Sequence, residues 1–125
     1  MASDTTLQVE VVAADRVVWS GAARQLSART SEGDLGVLPG HAPLLSVLVP
    51  SVVRIEAAEG DTVVAAVEEG FISVADDRVS VLSEDAALAA EIDVDQARSD
   101  LEAAGEDLVL VRRAEAKLRA AGALD

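Results

Sequence analysis

Apolar and polar residues alternate through most of the first 90 positions. In Thr6–Ala13, "TLQVEVVA", the residues Leu7, Val9, Val11 and Ala13 fall on one side, and Thr6, Gln8 and Glu10 fall opposite. Alternation with period two is typical of a half-buried β-strand. The same texture recurs in Val17–Trp19, Arg24–Thr30, Val52–Ala57, Thr62–Val67, Phe71–Ala75 and Val79–Leu82. Many short strands without helices between them predict an antiparallel sandwich or barrel.

The remaining residues have a helical rhythm. Asp93 followed by Gln96 is a capping-box pattern that predicts a helix over Val94–Ala104, ended by Gly105. A second helix is predicted over Leu108–Ala121. Apolar residues recur every three or four positions in both helices. They are Val94, Ala97, Leu101 and Ala104 in the first helix, and Leu108, Val111, Ala114, Leu118 and Ala121 in the second. Since isolated helices of this length are marginal, we expect a helical hairpin that packs on another surface.

The change of texture predicts two units, a β domain over residues 1–90 and a helical hairpin domain over residues 91–125. For one segment the sequence does not decide between a helix and an extended chain. Ser83–Ala90, "SEDAALAA", favours a helix by local propensity, yet it follows a predicted strand directly and could remain extended.

Composition narrows the classes of partner. The 125 residues carry a net charge of −13, which repels both nucleic-acid phosphates and anionic lipid. Only Trp19 and Phe71 are aromatic, too few for a base-stacking surface. There is no cysteine, no apolar run of the ~20 residues that span a bilayer, and no signal peptide at the polar start. We therefore expect a soluble protein without nucleic-acid partners, which meets a membrane only through a complex.

The charge of the hairpin is uneven. Residues 91–107 carry seven acids and one arginine, whereas the second helix carries four basic residues. These four are Arg112, Arg113, Lys117 and Arg119. Cations stabilise a helix C-terminus by ~0.3–1 kcal/mol each, so complementarity with the helix dipole is one explanation. A contact with an acidic partner surface is the other.

Catalytic and metal-binding patterns do not assemble. His41 is the only imidazole, which leaves no second histidine and no thiolate for a zinc site. No serine has a nucleophile-elbow setting, and the glycines near residue 36 are not followed by the lysine of a phosphate-binding loop. We therefore predict no catalytic residues, no metal site and no cofactor.

The stretch Ser31–Val49, "SEGDLGVLPGHAPLLSVLV", looks like a stiff loop rather than a catalytic one. Gly33, Gly36 and Gly40 allow backbone conformations that other residues avoid, whereas its prolines restrict φ. A stiff loop without catalytic groups is suited to contact another protein, or it only carries the chain across the core. For His41 alone, a turn-capping role or a place in the core with its hydrogen bonds satisfied is favoured over a ligand role.

Five segments in order, "EGDLGVLPGHAPLL", "VVRI", "GFISV", "VSVL" and "EIDVDQA", resemble the epsilon subunit of bacterial F-type ATP synthases. The short C-terminal region is similar to actinobacterial versions. The resemblance implies an α+β fold, with an N-terminal flattened antiparallel β-sandwich followed by a C-terminal α-helical hairpin. It also implies a non-catalytic rotor subunit at the cytoplasmic face of the plasma membrane.

The resemblance assigns contacts to particular residues. Glu32, Gly33 and Asp34 would face the ring of c subunits, and Leu38, Pro39, His41, Ala42 and Pro43 would contact the gamma subunit. In this family the hairpin folds down on the sandwich or rises to block ATP hydrolysis. In the raised form Arg112, Arg113, Lys117 and Arg119 would meet the catalytic beta subunits, which now favours the acidic-partner explanation of these charges.

Some family members bind ATP at the hairpin, and this nucleotide-sensing role is the alternative function. Ile92, Asp93 and Ala97 match that pattern, but Gln96 and Ala87 stand where an arginine and a glutamate are usual. We therefore predict weak or no ATP binding. Glu69 also replaces a usual glycine and Val49 a usual lysine, which we interpret as surface variation.

Overall fold

The computed structural model describes residues 5–124, which contain nine β-strands followed by two α-helices. The strands are β1 Leu7–Ala13, β2 Arg16–Thr30, β3 Gly33–Val37, β4 Leu44–Leu48, β5 Ser51–Ala57, β6 Thr62–Val67, β7 Gly70–Ala75, β8 Arg78–Ser83 and β9 Ala86–Leu88. The helices are α1 Val94–Ala104 and α2 Leu108–Ala120. The predicted class, a β-sandwich followed by a helical hairpin, is confirmed. No helix within this part of the chain is long and apolar enough to cross a bilayer.

The long strand β2 joins the two halves of the sandwich. Its first half pairs with β1 and its second half with β3 and β5. The strand order β1-β8-β7-β4-β2-β5-β6-β9 folds on itself, so the inward side chains of both halves share one core. The two strands predicted at Val17–Trp19 and Arg24–Thr30 are wrong as separate elements. They belong to one strand, because the residues between them, Ser20–Ala23, continue the ladder with β1.

One pair of strands departs from the predicted antiparallel arrangement. β1 runs parallel to β8, with Val9 beside Val79 and Val11 beside Val81. All four valines are buried in the core. The remaining ladders are antiparallel among the described strands. The parallel pair closes one half of the sandwich without a hairpin, which alternation alone could not indicate.

The stretch that looked like one stiff loop is mostly strand. β3 and β4 lie within it, a turn at residues 31–32 precedes β3, and residues 38–43 form the loop between the two strands. Gly33 and Gly40 have φ of 116° and 87°, in the region that favours glycine. The φ of Gly36 does not lie in this positive region, so the prediction that Gly36 is needed for its backbone conformation is wrong. Cross-strand pairing with β2 holds it extended.

The undecided segment Ser83–Ala90 does not form an α-helix, and most of it is extended. Its middle forms β9, which pairs with β6, and a 3₁₀ turn at Ala89–Glu91 follows. The guanidinium of Arg16 donates to both carboxylate oxygens of Glu91, at 2.9 and 2.7 Å. This bond and the backbone N–H of Leu88 lower the pKa of Glu91 to about 2. The ion pair ties the start of β2 to the segment that leads into the hairpin.

The hairpin lies on the sandwich through small side chains. Ala116 and Ala120 of α2 pack against Ala66 of β6, with Val52, Val64 and Ile92 around them. The other side of α2 faces α1. The predicted single stripe on α2 is therefore wrong in part: Ala116 and Ala120 are buried as well as Ala114 and Leu118, whereas Leu108 is exposed. A helix covered from two directions needs two apolar faces.

The predicted N-terminal cap of α1 is present in part. The Asp93 carboxylate accepts from the backbone N–H of Gln96 at 3.0 Å. The Gln96 side chain donates instead to Asp100, one turn further along the helix, at 2.9 Å. The reciprocal half of the capping box is thus replaced by a bond between side chains along the helix surface.

Candidate interaction surfaces

Large apolar side chains form a row across the outer face of β4, β7, β8, β1 and β2. Phe71 pairs with Val47 on one side and Leu82 on the other, and Leu82 lies beside Val12, which pairs with Val17. Directly paired residues share one face of a sheet. Phe71 is 51% exposed and Val17 61% exposed. We call these five residues the apolar row, and contiguous exposed apolar surface of this kind makes it a candidate protein interface.

The loop of residues 38–43 leads into β4, and Leu45, the second residue of that strand, lies between the loop and Val47 of the apolar row. The backbone N–H of Gly40 donates to the Asp77 carboxylate at 2.7 Å, which ties the loop to the turn between β7 and β8. The backbone N–H of His41 donates to the carbonyl of Leu38 at 3.1 Å. A neighbouring polar contact joins His41 Nδ1 to the carbonyl oxygen of Ala42 at 2.6 Å. The predicted gamma-facing loop is therefore a fixed structure.

Within that loop the side chains differ in exposure. Leu38, Ala42 and Pro43 are exposed, whereas Pro39 and His41 are half-buried. Leu45, two residues into β4, is 71% exposed and points to the same side as Val47. The loop and the apolar row thus offer one continuous surface to a partner.

The acidic residues predicted to face the c ring lie at the other end of β4. Thr30 pairs with Leu48, so the turn between β2 and β3 sits beside the end of that strand. The turn is closed by Thr30, whose hydroxyl donates to the carbonyl of Gly33 and accepts from the N–H of Glu32. Glu32 projects from the turn as an exposed side chain. Asp34 is exposed too, although Arg29 Nε donates to its Oδ1 at 2.8 Å.

Arg113, one of the four basic hairpin residues, forms a bidentate bond with the sandwich. Its Nε and Nη2 each donate to a carboxylate oxygen of Glu69 at 3.0 Å, and Nε lies 3.4 Å from Glu68. Burial raises the pKa of Glu68, and the charge of Arg113 opposes that rise. The interpretation of Glu69 as mere surface variation is therefore incomplete, because this carboxylate connects the sandwich to α2.

We expect Arg113→Gln to loosen the hairpin. A partly exposed bidentate pair contributes about 1 kcal/mol, so amide exchange in α2 should become roughly fivefold faster. Hydrogen exchange read by NMR on the full chain measures this directly. The matched control is Arg112→Gln, because Arg112 is an exposed neighbour on the same helix. Equal acceleration in both variants would contradict a specific contact.

The residual ATP-motif positions have structural partners. Ile92 packs on the sheet, Asp93 caps α1, and Ala97 is buried.

Of the basic residues predicted to contact the catalytic subunits, Lys117 is half-buried and Arg119 is exposed. Within residues 5–124, no three histidine, aspartate or glutamate side chains lie together as metal ligands.

The sequence reasoning missed the apolar row. Its signal was present, because "LLSVLV" and "VSVL" put leucine and valine at positions where clean alternation would put polar residues. An apolar side chain on the outward face of a strand indicates a second contact surface. Alternation within one strand does not show which outward residues of different strands are neighbours.

Comparison with known proteins gives consistent results. Residues 6–89 match the family described as ATP synthase, Delta/Epsilon chain, beta-sandwich domain. The ATP synthase epsilon chain of Streptomyces griseus is 56% identical over 116 residues, which cover 91% of this chain and 94% of that protein. The ATP synthase epsilon chain of Rhodococcus jostii is 46% identical over 115 residues, with 91% and 94% coverage.

Solved structures share the fold. A chain of the Euglena gracilis mitochondrial ATP synthase, in a cryo-EM structure of OSCP/F1/c-ring, matches with a TM-score of 0.66 and 22% identity, over 95% of this chain and 79% of that one. A chain of the Tetrahymena thermophila mitochondrial ATP synthase central stalk/c-ring matches with a TM-score of 0.58 and 18% identity, over 80% and 75%. Together with the sequence matches, these results show that this chain belongs to the epsilon chain family of ATP synthase.

Proposed function

We propose that this chain is a non-catalytic rotor subunit of an F-type ATP synthase, connecting the gamma subunit to the c ring. The apolar row is the observation that carries this proposal. Exposed apolar surface of this extent on an otherwise acidic protein is suited to a permanent partner. The hairpin lies on β5 and β6 and leaves the row open. The Streptomyces and Rhodococcus relatives carry the epsilon-chain name, which supports the same role.

The gamma subunit occupies the apolar row and the adjoining loop. The apolar row provides the surface from which water is excluded when gamma binds. The loop forms the edge of this surface and is held in place by the hydrogen bond between Gly40 and Asp77. Leu38, Pro39, His41, Ala42 and Pro43 form that edge. A rigid edge suits a rotor, because torque passes through a contact only if the contact does not yield.

The turn at Glu32, Gly33 and Asp34 rests on the polar loops of the c ring. Its two carboxylates complement basic groups there, and the site lies at the end of β4 remote from the gamma-facing loop. The chain thereby joins the complex at the cytoplasmic face of the plasma membrane without entering the bilayer. When the hairpin leaves the sandwich, Arg112, Arg113, Lys117 and Arg119 meet acidic surface on the catalytic beta subunits and restrain ATP hydrolysis.

The charge reversal Asp34→Lys tests the ring contact. We expect it to weaken attachment to purified c ring by about tenfold while gamma binding stays unchanged, because Asp34 lies outside both the apolar row and the loop of residues 38–43. Co-purification with tagged gamma subunit and with c ring measures both. Asp61→Lys is the matched control, since Asp61 is an exposed acid in the turn between β5 and β6. Undiminished attachment of Asp34→Lys to the ring would overturn this assignment.

A further inference from the structure

The turn between β7 and β8 has an uncommon backbone conformation. Asp76 and Asp77 form it, and their φ angles are 52° and 62°. A two-residue hairpin turn with two positive φ angles is of type I′, which favours asparagine or aspartate followed by glycine. Aspartate stands at the second position instead, although a side chain makes the left-handed region less favourable than it is for glycine. Glycine at position 77 would therefore relax this turn.

The two aspartates differ in what they contact. Asp77 is half-buried, and its Oδ1 accepts a hydrogen bond from the backbone N–H of Gly40 at 2.7 Å. Its backbone carbonyl accepts from the N–H of Gln8 in β1 at 2.8 Å. Asp76 is exposed, and it has no hydrogen bond to the loop of residues 38–43 within the described part of the chain. Asp77 thus joins three segments, and only its bond to Gly40 depends on the side chain.

The N–H that Asp77 binds lies in the middle of a second turn. The N–H of His41 donates to the carbonyl of Leu38 at 3.1 Å, with Pro39 and Gly40 between them. Proline followed by a glycine with φ of 87° matches a type II turn. The N–H of Gly40 takes no part in the hydrogen bond that closes such a turn. The Asp77 carboxylate is its partner, and this bond holds one turn against the other.

The turn at residues 38–41 carries side chains of the proposed gamma contact. Leu38 is 57% exposed, and its direction depends on how the turn is oriented on the sandwich. A loop that is already fixed loses less conformational freedom when a partner binds, so the affinity is higher. A charge-assisted hydrogen bond to a backbone N–H is a short, strong way to fix it.

We propose that Asp77 is a positioning residue for the gamma contact, whose carboxylate holds the turn at residues 38–41 in the arrangement that gamma binds. This inference rests on the proposed function. It gives a reason for aspartate at a position where the backbone favours glycine. Glycine would relax the turn between β7 and β8 but release the loop. The stability of the sandwich and the affinity for gamma therefore make opposite demands on this residue.

Asp77→Gly separates the two demands. We expect the affinity for gamma to fall by about fivefold, because the released loop must be ordered when gamma binds. The unfolding temperature of the isolated chain should stay equal or rise, because glycine is compatible with this φ. Calorimetry with the gamma subunit and thermal unfolding of the full chain measure the two quantities. Unchanged affinity, or a fall in affinity together with a fall in unfolding temperature, would overturn the proposal.

Two further variants isolate the hydrogen bond. Asp77→Asn keeps an oxygen that accepts from an N–H and tolerates the left-handed backbone, so it should bind gamma within about twofold of the unmodified chain. Asp76→Gly makes the same substitution at the neighbouring position of the turn, which also has a positive φ. It should leave the affinity unchanged. A fivefold loss in either variant would contradict a role for the bond between Asp77 and Gly40.

Amide hydrogen exchange read by NMR on the isolated full chain tests the positioning without gamma. In Asp77→Gly the amide of His41 should exchange about fivefold faster, because the turn that it closes is no longer held. An unchanged rate would refute the inference. If Phe71→Asp in the apolar row abolishes gamma binding but Asp77→Gly does not weaken it, this inference fails and the proposed function stands. If neither variant weakens binding, the proposed gamma contact fails and this inference fails with it.

Discussion

Phe71→Asp is expected to abolish binding to the gamma subunit, with a loss of affinity of at least about 100-fold. Phe71 is the one aromatic side chain of the apolar row and lies between Val47 and Leu82. A carboxylate there would be desolvated without a partner when the interface closes. Central aromatic side chains also contribute most to interfaces of this kind. Co-purification with tagged gamma subunit and calorimetry measure the loss.

The control for this prediction places the same charge elsewhere on the sandwich. Gln25→Asp adds one negative charge at an exposed position on β2 that is outside the row. It should bind gamma as the unmodified chain does. Thermal unfolding of both variants checks that the sandwich remains folded. If Phe71→Asp keeps full affinity while folded, the apolar row is not the gamma interface.

Gly70→Ala is expected to destabilise the sandwich by about 3 kcal/mol, near the upper end of overpacking effects. Gly70 opens β7 and pairs with Leu48 on one side and Ser83 on the other. A Cβ atom there would overlap the backbone carbonyl group of Leu82. Backbone cannot move aside as a flexible side chain does, so the ladder between β7 and β8 must open. Urea unfolding of the full chain measures the change.

Gly36→Ala is the matched control. Gly36 lies in β3, and a Cβ atom there has no heavy atom within 4 Å among the described residues. The free energy of unfolding should change by less than about 0.5 kcal/mol, as for most surface substitutions. Equal unfolding midpoints for the two variants would show that close approach of β8 does not require glycine at position 70.

The hairpin shows which features of the fold can be predicted from local sequence. The bounds of α1 were predicted correctly, because Asp93 and Gly105 mark its ends by local chemistry. The buried face of α2 was predicted only in part. Which alanines become buried depends on the sheet beneath the helix. A single apolar stripe in the sequence predicts one buried face, whereas α2 has two, one against the sheet and one against α1.

The contact surfaces show the same division. The motif around Gly33 and Pro39 was enough to identify the family. That resemblance predicted the loop and the acidic turn as contact sites. The sequence shows outward apolar residues, but it does not show that they form one row, because its members come from five strands and meet only through register. The role of Glu69 was missed for the same reason, since Arg113 lies 44 positions away in the chain.

Sequence alone determined the elements whose causes are local: strand alternation, helix caps, and the glycines at Gly33 and Gly40 where φ is positive. It also determined the acidic charge and the family. The tertiary structure decided which strands are neighbours, that β1 runs parallel to β8, and which side chains share a face. These features depend on contacts between distant segments, and such contacts are fixed by packing rather than by neighbouring residues in the chain.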